Sequence, residues 1–358
     1  MRNIVISLLV ILSLSIIILC IISIDTTKAT PTTLADTVIS LSQGDTCSVG
    51  ASGIYQTNSH EYRYVGAEVN NYVRFNNDLY QIIGVFDSNS TGVNGNLVKL
   101  IAANFLTSMT WGVYNTTASS GVYSDYKNDW TGSVTGVSAS SNVMLNQYFL
   151  NSDTLTTGYV NQTYGACENW TYMNASSTYK NKNCNTIVGY GIKSNLSGYV
   201  ETVTWYLKGF NSNEYTRRDF YNCERGITTG DATKDSNCNT GITGTADATV
   251  NAKIGLMYLS DYAYASGNIA CGNTPLMNNE YEGARNWLYK GKEWTITPRS
   301  DSATHVFLIN YNGFVINEYT LFAFNIRPTF YLKSSVYVTG GNGSFSNPYT
   351  IACDDCNS

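Results

Sequence analysis

Apolar positions run almost unbroken through residues 4–24, where 17 of 21 side chains are apolar and only Ser7, Ser13, Ser15 and Ser23 interrupt. A helix over that run would rise about 30 Å, enough to cross the hydrocarbon of a bilayer. Signal-peptide cores are shorter, about 7–15 residues. Residues 1–24 therefore read as an uncleaved transmembrane signal anchor, with Arg2 holding the leading end in the cytoplasm and the rest of the chain outside. Cleavage after Ala29 or Ala35 is the alternative and would make the chain secreted. Residues 25–46 are Thr-rich and weakly patterned, and read as a spacer ahead of an extracellular domain over 47–358.

Beyond the spacer the pattern shortens to strand-like alternation. Tyr72-Val73-Arg74-Phe75 and residues 79–86 form the arms of an expected hairpin about Asn76-Asn77-Asp78. Leu97-Val98-Lys99-Leu100-Ile101 adds a third strand. Residues 141–150 suit a helix with Val143, Leu145, Tyr148 and Phe149 roughly on one face. Residues 151–250 are polar and rich in Gly, Asn and Thr, and read as a variable insertion around a strand at 203–207. A buried strand is expected at 254–259, followed by a turn or helix at 260–265. Residues 305–310 and 314–319 flank an Asn-Gly turn, and a long strand over 324–338 closes the pattern. Many short strands and few helices predict an α+β fold of mostly antiparallel sheet.

Composition sharpens this picture. With 43% hydrophobic and 13% aromatic residues, the chain is too rich in rings to be disordered. Lys+Arg 21 against Asp+Glu 26 leaves a net charge of −5, without the basic footprint of a nucleic-acid binder. Charged residues are scarce, and 28 Tyr with many Asn, Ser and Thr stand in for them. Apart from Cys20, eight cysteines remain, an even set that in an exported chain predicts disulfides. Short loop closure favours Cys167–Cys184 and Cys223–Cys238, leaving Cys47, Cys271, Cys353 and Cys356 unassigned.

Several short motifs carry a resemblance. They are residues 71–76, Ile82-Ile83-Gly84-Val85, residues 254–262, Asn286-Trp287-Leu288, Trp294-Thr295-Ile296, Arg327-Pro328 and residues 340–348. Together they resemble uncharacterised exported proteins of gut Firmicutes and Mollicutes-related bacteria, of the DUF6273 type. The closing Trp, Gly-hairpin and Arg-Pro segments are similar to the C-type-lectin-like fold, and the resemblance spans roughly residues 50–351. It implies a fold and an export route, and no activity at any residue.

The candidate chemistry is sparse. Cys353-Asp354-Asp355-Cys356 is a CxxC, but the two Asp would raise the thiol pKa, so a structural disulfide is expected rather than a redox pair or zinc site. The two histidines, His60 and His305, come with no GxSxG or HExxH motif, so no enzyme is expected. Asp231, Asp235 and Asn237 miss calcium-loop spacing, and no cofactor is assigned, with calcium held as the open alternative. Trp287 and Trp294 sit beside Leu288 and Ile296 and read as core, whereas Trp111, Trp130 and Trp170 lie in polar stretches and are the candidate exposed ligand contacts. Arg327 reads as ordering the final strand. These features favour a surface-anchored adhesion or binding protein that meets a host or bacterial surface glycan or protein through Tyr/Trp/Asn-rich loops. A cell-envelope enzyme acting on glycans or cell wall, or a structural envelope component, is the alternative.

Overall fold

The computed structural model describes residues 31–58, 61–114, 126–136, 138–150, 152, 191–212, 215–242, 247–267 and 285–356. Strand outweighs helix, 36% to 20%, and the strands form open mixed sheets. The first described element is a helix, α1 (Leu34–Ser40), capped by Thr33, whose Oγ1 accepts from the Asp36 amide at 3.0 Å. Leu34, Ala35 and Val38 are buried in the main core. The stretch read as a spacer therefore belongs to the folded domain from Thr33 onward. The sequence hid this because a helix of about two turns carries only three core residues.

The larger sheet is built from β1 (Gly53–Asn58), β2 (Glu61–Val65), β3 (Tyr72–Phe75), β4 (Asp78–Phe86) and β5 (Leu97–Ala102). Long β4 pairs β5 along one edge, while its other edge takes β3 near its start and β2 near its end. The β3–β4 turn is Asn76-Asn77, with φ of 55° and 65°, so Asp78 enters the strand rather than the turn. A second sheet begins with β6 (Thr107–Thr110), and a small pair, β7 (Val113–Tyr114) and β8 (Tyr126–Lys127), follows it. The expected helix is present as a turn over Ser140–Val143 that widens to π geometry over Met144–Phe149, burying Met144, Leu145 and Phe149.

The polar stretch 151–250 is more than a loop where it is described. It supplies β9 (Val203–Tyr206) and a nine-residue helix, α2 (Arg217–Arg225), which opens on a Thr216–Asp219 capping box and stops at Gly226. Trp205, Phe210 and Phe220 are fully buried, with the two phenylalanine rings stacked 4.5 Å apart. Strands β10 (Thr249–Ala252) and β11 (Ile254–Gly255) follow, and β10 pairs β9. The strand expected over 254–259 stops at Gly255, because Tyr258 and Asp261 form the capping box of α3 (Leu259–Ala265). Gly255 is required there, since a Cβ would lie 2.6 Å from the Trp205 ring.

The last quarter adds β12 (Glu293–Pro298), β13 (His305–Ile309), β14 (Val315–Tyr319), β15 (Ala323–Ile326), β16 (Thr329–Leu332), β17 (Tyr337–Gly340) and β18 (Tyr349–Ala352). The expected long strand 324–338 is three strands in two sheets. Pro328 has no amide to continue a ladder, and the chain crosses from β15 in the second sheet to β16 in the first. The first sheet runs β11-β16-β5-β4-β3-β18-β17 and the second β14-β13-β12-β15-β6. Pairings are antiparallel except β18 with β3 and β12 with β15. Helix α3 packs on β2 of the first sheet, β12 of the second and α2. Among the described residues no helix is long and apolar enough to cross a membrane, and the anchor expected over 1–24 lies outside them.

Candidate functional site

Two constellations stand out, one sealed inside and one open to solvent. The sealed one begins with strand alternation. Glu61 and Arg63 lie two apart on β2 and share its inward face. Lys99 stands in the middle of β5, a strand buried on both faces, and Asp261 occupies the third position of the α3 capping box. Arg63 donates from both Nε and Nη2 to Glu61 Oε2, the latter at 2.6 Å, and from Nη1 to Asp261 Oδ1 at 2.9 Å. Lys99 Nζ donates to Asp261 Oδ2 at 2.6 Å. Ser90 and Tyr221 hydroxyls both bond Glu61 Oε1, Tyr221 at 2.7 Å.

The four charged side chains are at most 1% exposed, so each charge has to be matched locally. Burial opposes ionisation of Glu61 and Asp261. Arg63 and Arg225 outweigh it at Glu61, Lys99 and Arg63 outweigh it at Asp261, and both carboxyls stay below their ordinary range. Burial pulls Lys99 down to about 8 despite Asp261. Glu224 on α2 goes the other way. It accepts from the Ser260 amide, from Ser260 Oγ and from Thr297 Oγ1, but burial dominates and raises its pKa. The network ties β2, β5, α2 and α3 together with its ion-paired side chains at most 1% exposed among the described residues, so it reads as scaffold.

The open constellation is a cleft of about 420 Å³ lined by residues 67–70, Tyr72, Gln81, Trp287, Lys290 and Phe345. Its walls come from the β2–β3 connection, the β3–β4 hairpin, the approach to β12 and the β17–β18 loop. That last loop is tightly held. Tyr72 N donates to Gly343 O at 2.8 Å, Asn342 N to Asn347 O at 3.0 Å and Ser344 N to Asn342 Oδ1 at 3.1 Å. Gly343 adopts φ 78°, and a Cβ there would lie 2.5 Å from Asn70 O. The loop thereby presents Phe345, 71% exposed, edge-on to Tyr72 with ring centroids 5.4 Å apart.

Behind these rings lies Gln81, 2% exposed. Its Nε2 donates to Asn71 Oδ1 at 3.1 Å, while Oε1 has no partner among the described residues. Trp287 forms the floor, anchored by its Nε1 donating to Tyr64 O at 2.8 Å. The cleft therefore combines a projecting aromatic edge, side-chain amides at Asn70 and Gln81, and one charge of each sign at Glu68 and Lys290. Compared with known proteins, the chain matches no family model, no curated sequence and no solved structure.

The sequence-predicted residues are distributed differently. Trp111 and Trp130, expected as exposed contacts, are 1% and 3% exposed and pack against each other with tilted rings, centroids 5.1 Å apart. Trp111 Nε1 donates to Thr295 O at 2.8 Å, fixing it beneath the second sheet. The polar residues around them had masked a core position. Trp170, the Cys167–Cys184 pairing and His60 lie outside the described residues. Cys223 bonds Cys238, Cys353 bonds Cys356, and Cys47 is also disulfide-bonded. The Cys353, Asp355 and Cys356 cluster has both its sulfurs in that bond rather than free for a metal.

Asp231 Oδ1 accepts from the amides of Thr233 and Lys234, and Asp235 Oδ1 from Thr229 N and Oγ1, so both act as local caps. His305 Nδ1 bonds Ser302 Oγ at 2.7 Å within its own turn, and burial lowers its pKa. Arg327 grips Glu293 with Nε at 2.7 Å and Nη2 at 2.6 Å, and Nη2 also reaches Leu288 O, holding the turn into β16. The cleft residues Tyr72, Trp287 and Phe345 fall in segments already prominent in the sequence, but Asn70, Gln81 and Lys290 carried no signal of their own.

Proposed function

We propose that this chain is an exported, surface-anchored binding protein that takes a glycan in the cleft between Tyr72, Gln81, Lys290 and Phe345. The carrying observation is the rigid β17–β18 loop that holds Phe345 exposed and edge-on to Tyr72 at the mouth of a polar cleft. Sugars offer apolar C–H faces beside hydroxyls, and aromatic edges with amides and opposite charges complement that mixture. A volume of about 420 Å³ lies within the range of small-ligand sites. On this reading the scaffold is lectin-like and of the DUF6273 type, the anchor over 1–24 tethers it to the cell membrane, and the partner is a host or bacterial surface glycan.

The test uses the full chain, purified in detergent and oxidised, on a broad glycan and mucin array with and without EDTA. Saturable binding to one glycan class supports the reading, and loss with EDTA would add calcium. Silence from folded, disulfide-bonded protein would overturn it.

A further inference from the structure

We propose that Lys99 and Asp261 condense into an intramolecular isopeptide bond, an amide joining Lys99 Nζ to Asp261 Cγ and stitching β5 to α3 across the core. The two groups already touch, with Nζ 2.6 Å from Oδ2 and both side chains fully buried. Among the described residues Asp261 Oδ2 is the sole hydrogen-bond acceptor of Lys99 Nζ. The ammonium is otherwise enclosed by the rings of Tyr258, Tyr331, Trp205 and Phe86, 4.4–5.7 Å away. Those ring faces attract the ammonium, but the net effect of its full burial is to pull Lys99 down to about 8, which favours release of its proton.

The acceptor side is arranged for attack. Asp261 Oδ1 receives Arg63 Nη1 at 2.9 Å, and Oδ2 receives the Tyr258 amide at 2.9 Å. These donors hold the resting pair as ions. The Arg63 donor on Oδ1 also stabilises the negative charge that develops on that oxygen when nitrogen adds to the carboxyl carbon, while the Tyr258 amide stays on the departing Oδ2. The reaction needs no oxidant or co-reactant. The short hydrogen bond passes one proton from Nζ to Oδ2, the freed amine adds to Cγ, and a second proton moves from nitrogen to the departing oxygen. Of the three ammonium hydrogens one stays on the amide nitrogen and two leave with Oδ2 as water.

Fixed proximity supplies the rate, since well-oriented partners reach effective molarities of about 10⁵–10⁸ M. Removal of one buried cation and one buried anion together supplies the drive. The Glu61–Arg63 pair survives unchanged, so no charge is stranded.

The experiment is intact-mass and peptide mass spectrometry of the full chain, denatured, reduced and alkylated, with Lys99→Arg alongside. The expected result is a mass one water below that of the sequence, failed tryptic cleavage after Lys99, and a branched peptide joining the Lys99 and Asp261 segments. In Lys99→Arg the deficit disappears. Full sequence mass with complete cleavage after Lys99 in the wild-type chain would overturn the proposal, and that comparison holds whether or not the variant folds.

Discussion

Arg63 and Asp261, 198 residues apart in the chain, meet at 2.9 Å in a place where neither is more than 1% exposed. Through that contact β2 of the first sheet is tied to α3, which in turn packs on β12 of the second. Truncating one partner of such a pair leaves the other charge buried and unmatched. Arg63→Ala would strand Glu61, whose Oε2 takes two bonds from this guanidinium. The expected loss is about 3–5 kcal/mol in urea unfolding. A loss below about 1 kcal/mol would show that the network contributes little to the fold.

Glu224 predicts a pH dependence of known sign. Its carboxyl is buried and its pKa raised, so the folded chain binds more protons than the unfolded one above the ordinary value of 4.5. Its contribution to stability therefore falls as pH rises from about 4.5 through the raised value. Glu224→Gln keeps an acceptor for Ser260 and removes the titration. Thermal unfolding of the variant should match wild type near pH 4.5, gain on it as pH rises through the raised value, and level off above that. Parallel profiles for the two chains would contradict the assignment.

The domain boundary makes a third prediction. Leu34 is fully buried and Thr33 caps its helix. Leu34→Ala should cost about 2–5 kcal/mol, and a chain beginning at Asp36 should be less stable still. Equal unfolding midpoints for the variant and wild type would return this segment to the status of a spacer.

Much of the sheet was legible in the sequence because alternation and Asn-Gly or Asn-Asn turns act locally. The β3–β4 and β13–β14 hairpins lie where the pattern puts them. What escaped was long-range. Residues 97–101 were legible only as a strand, and the pairing of Lys99 with Asp261 could be named only once β5 and α3 were brought together. Trp111 and Trp130 misled because polar neighbours in sequence say little about what packs against a ring. The cleft draws on four segments between residues 67 and 345, and no local spacing encodes that convergence.

Redox state offers a fourth prediction. Cys223 is fully buried beside the core and closes a loop of 15 residues onto Cys238, which anchors the end of α2. Closing such a loop is worth about 3 kcal/mol. Cys238→Ser should lower the unfolding midpoint accordingly, whereas an unchanged midpoint would mean that packing alone secures α2.

On the proposed reading, ligand is held at the Phe345 cleft and not at Trp111 or Trp130. The most direct measurement is a binding titration of wild type, Phe345→Ala and Trp111→Phe against the glycan class selected on the array. Phe345 projects into solvent and supports no core, so its removal should weaken binding at least about tenfold, near 1.4 kcal/mol, with the unfolding midpoint unchanged. Trp111→Phe should lower stability through its lost bond to Thr295 O and leave affinity alone. Unchanged affinity in Phe345→Ala, with loss in Trp111→Phe beyond what its stability explains, would contradict the account.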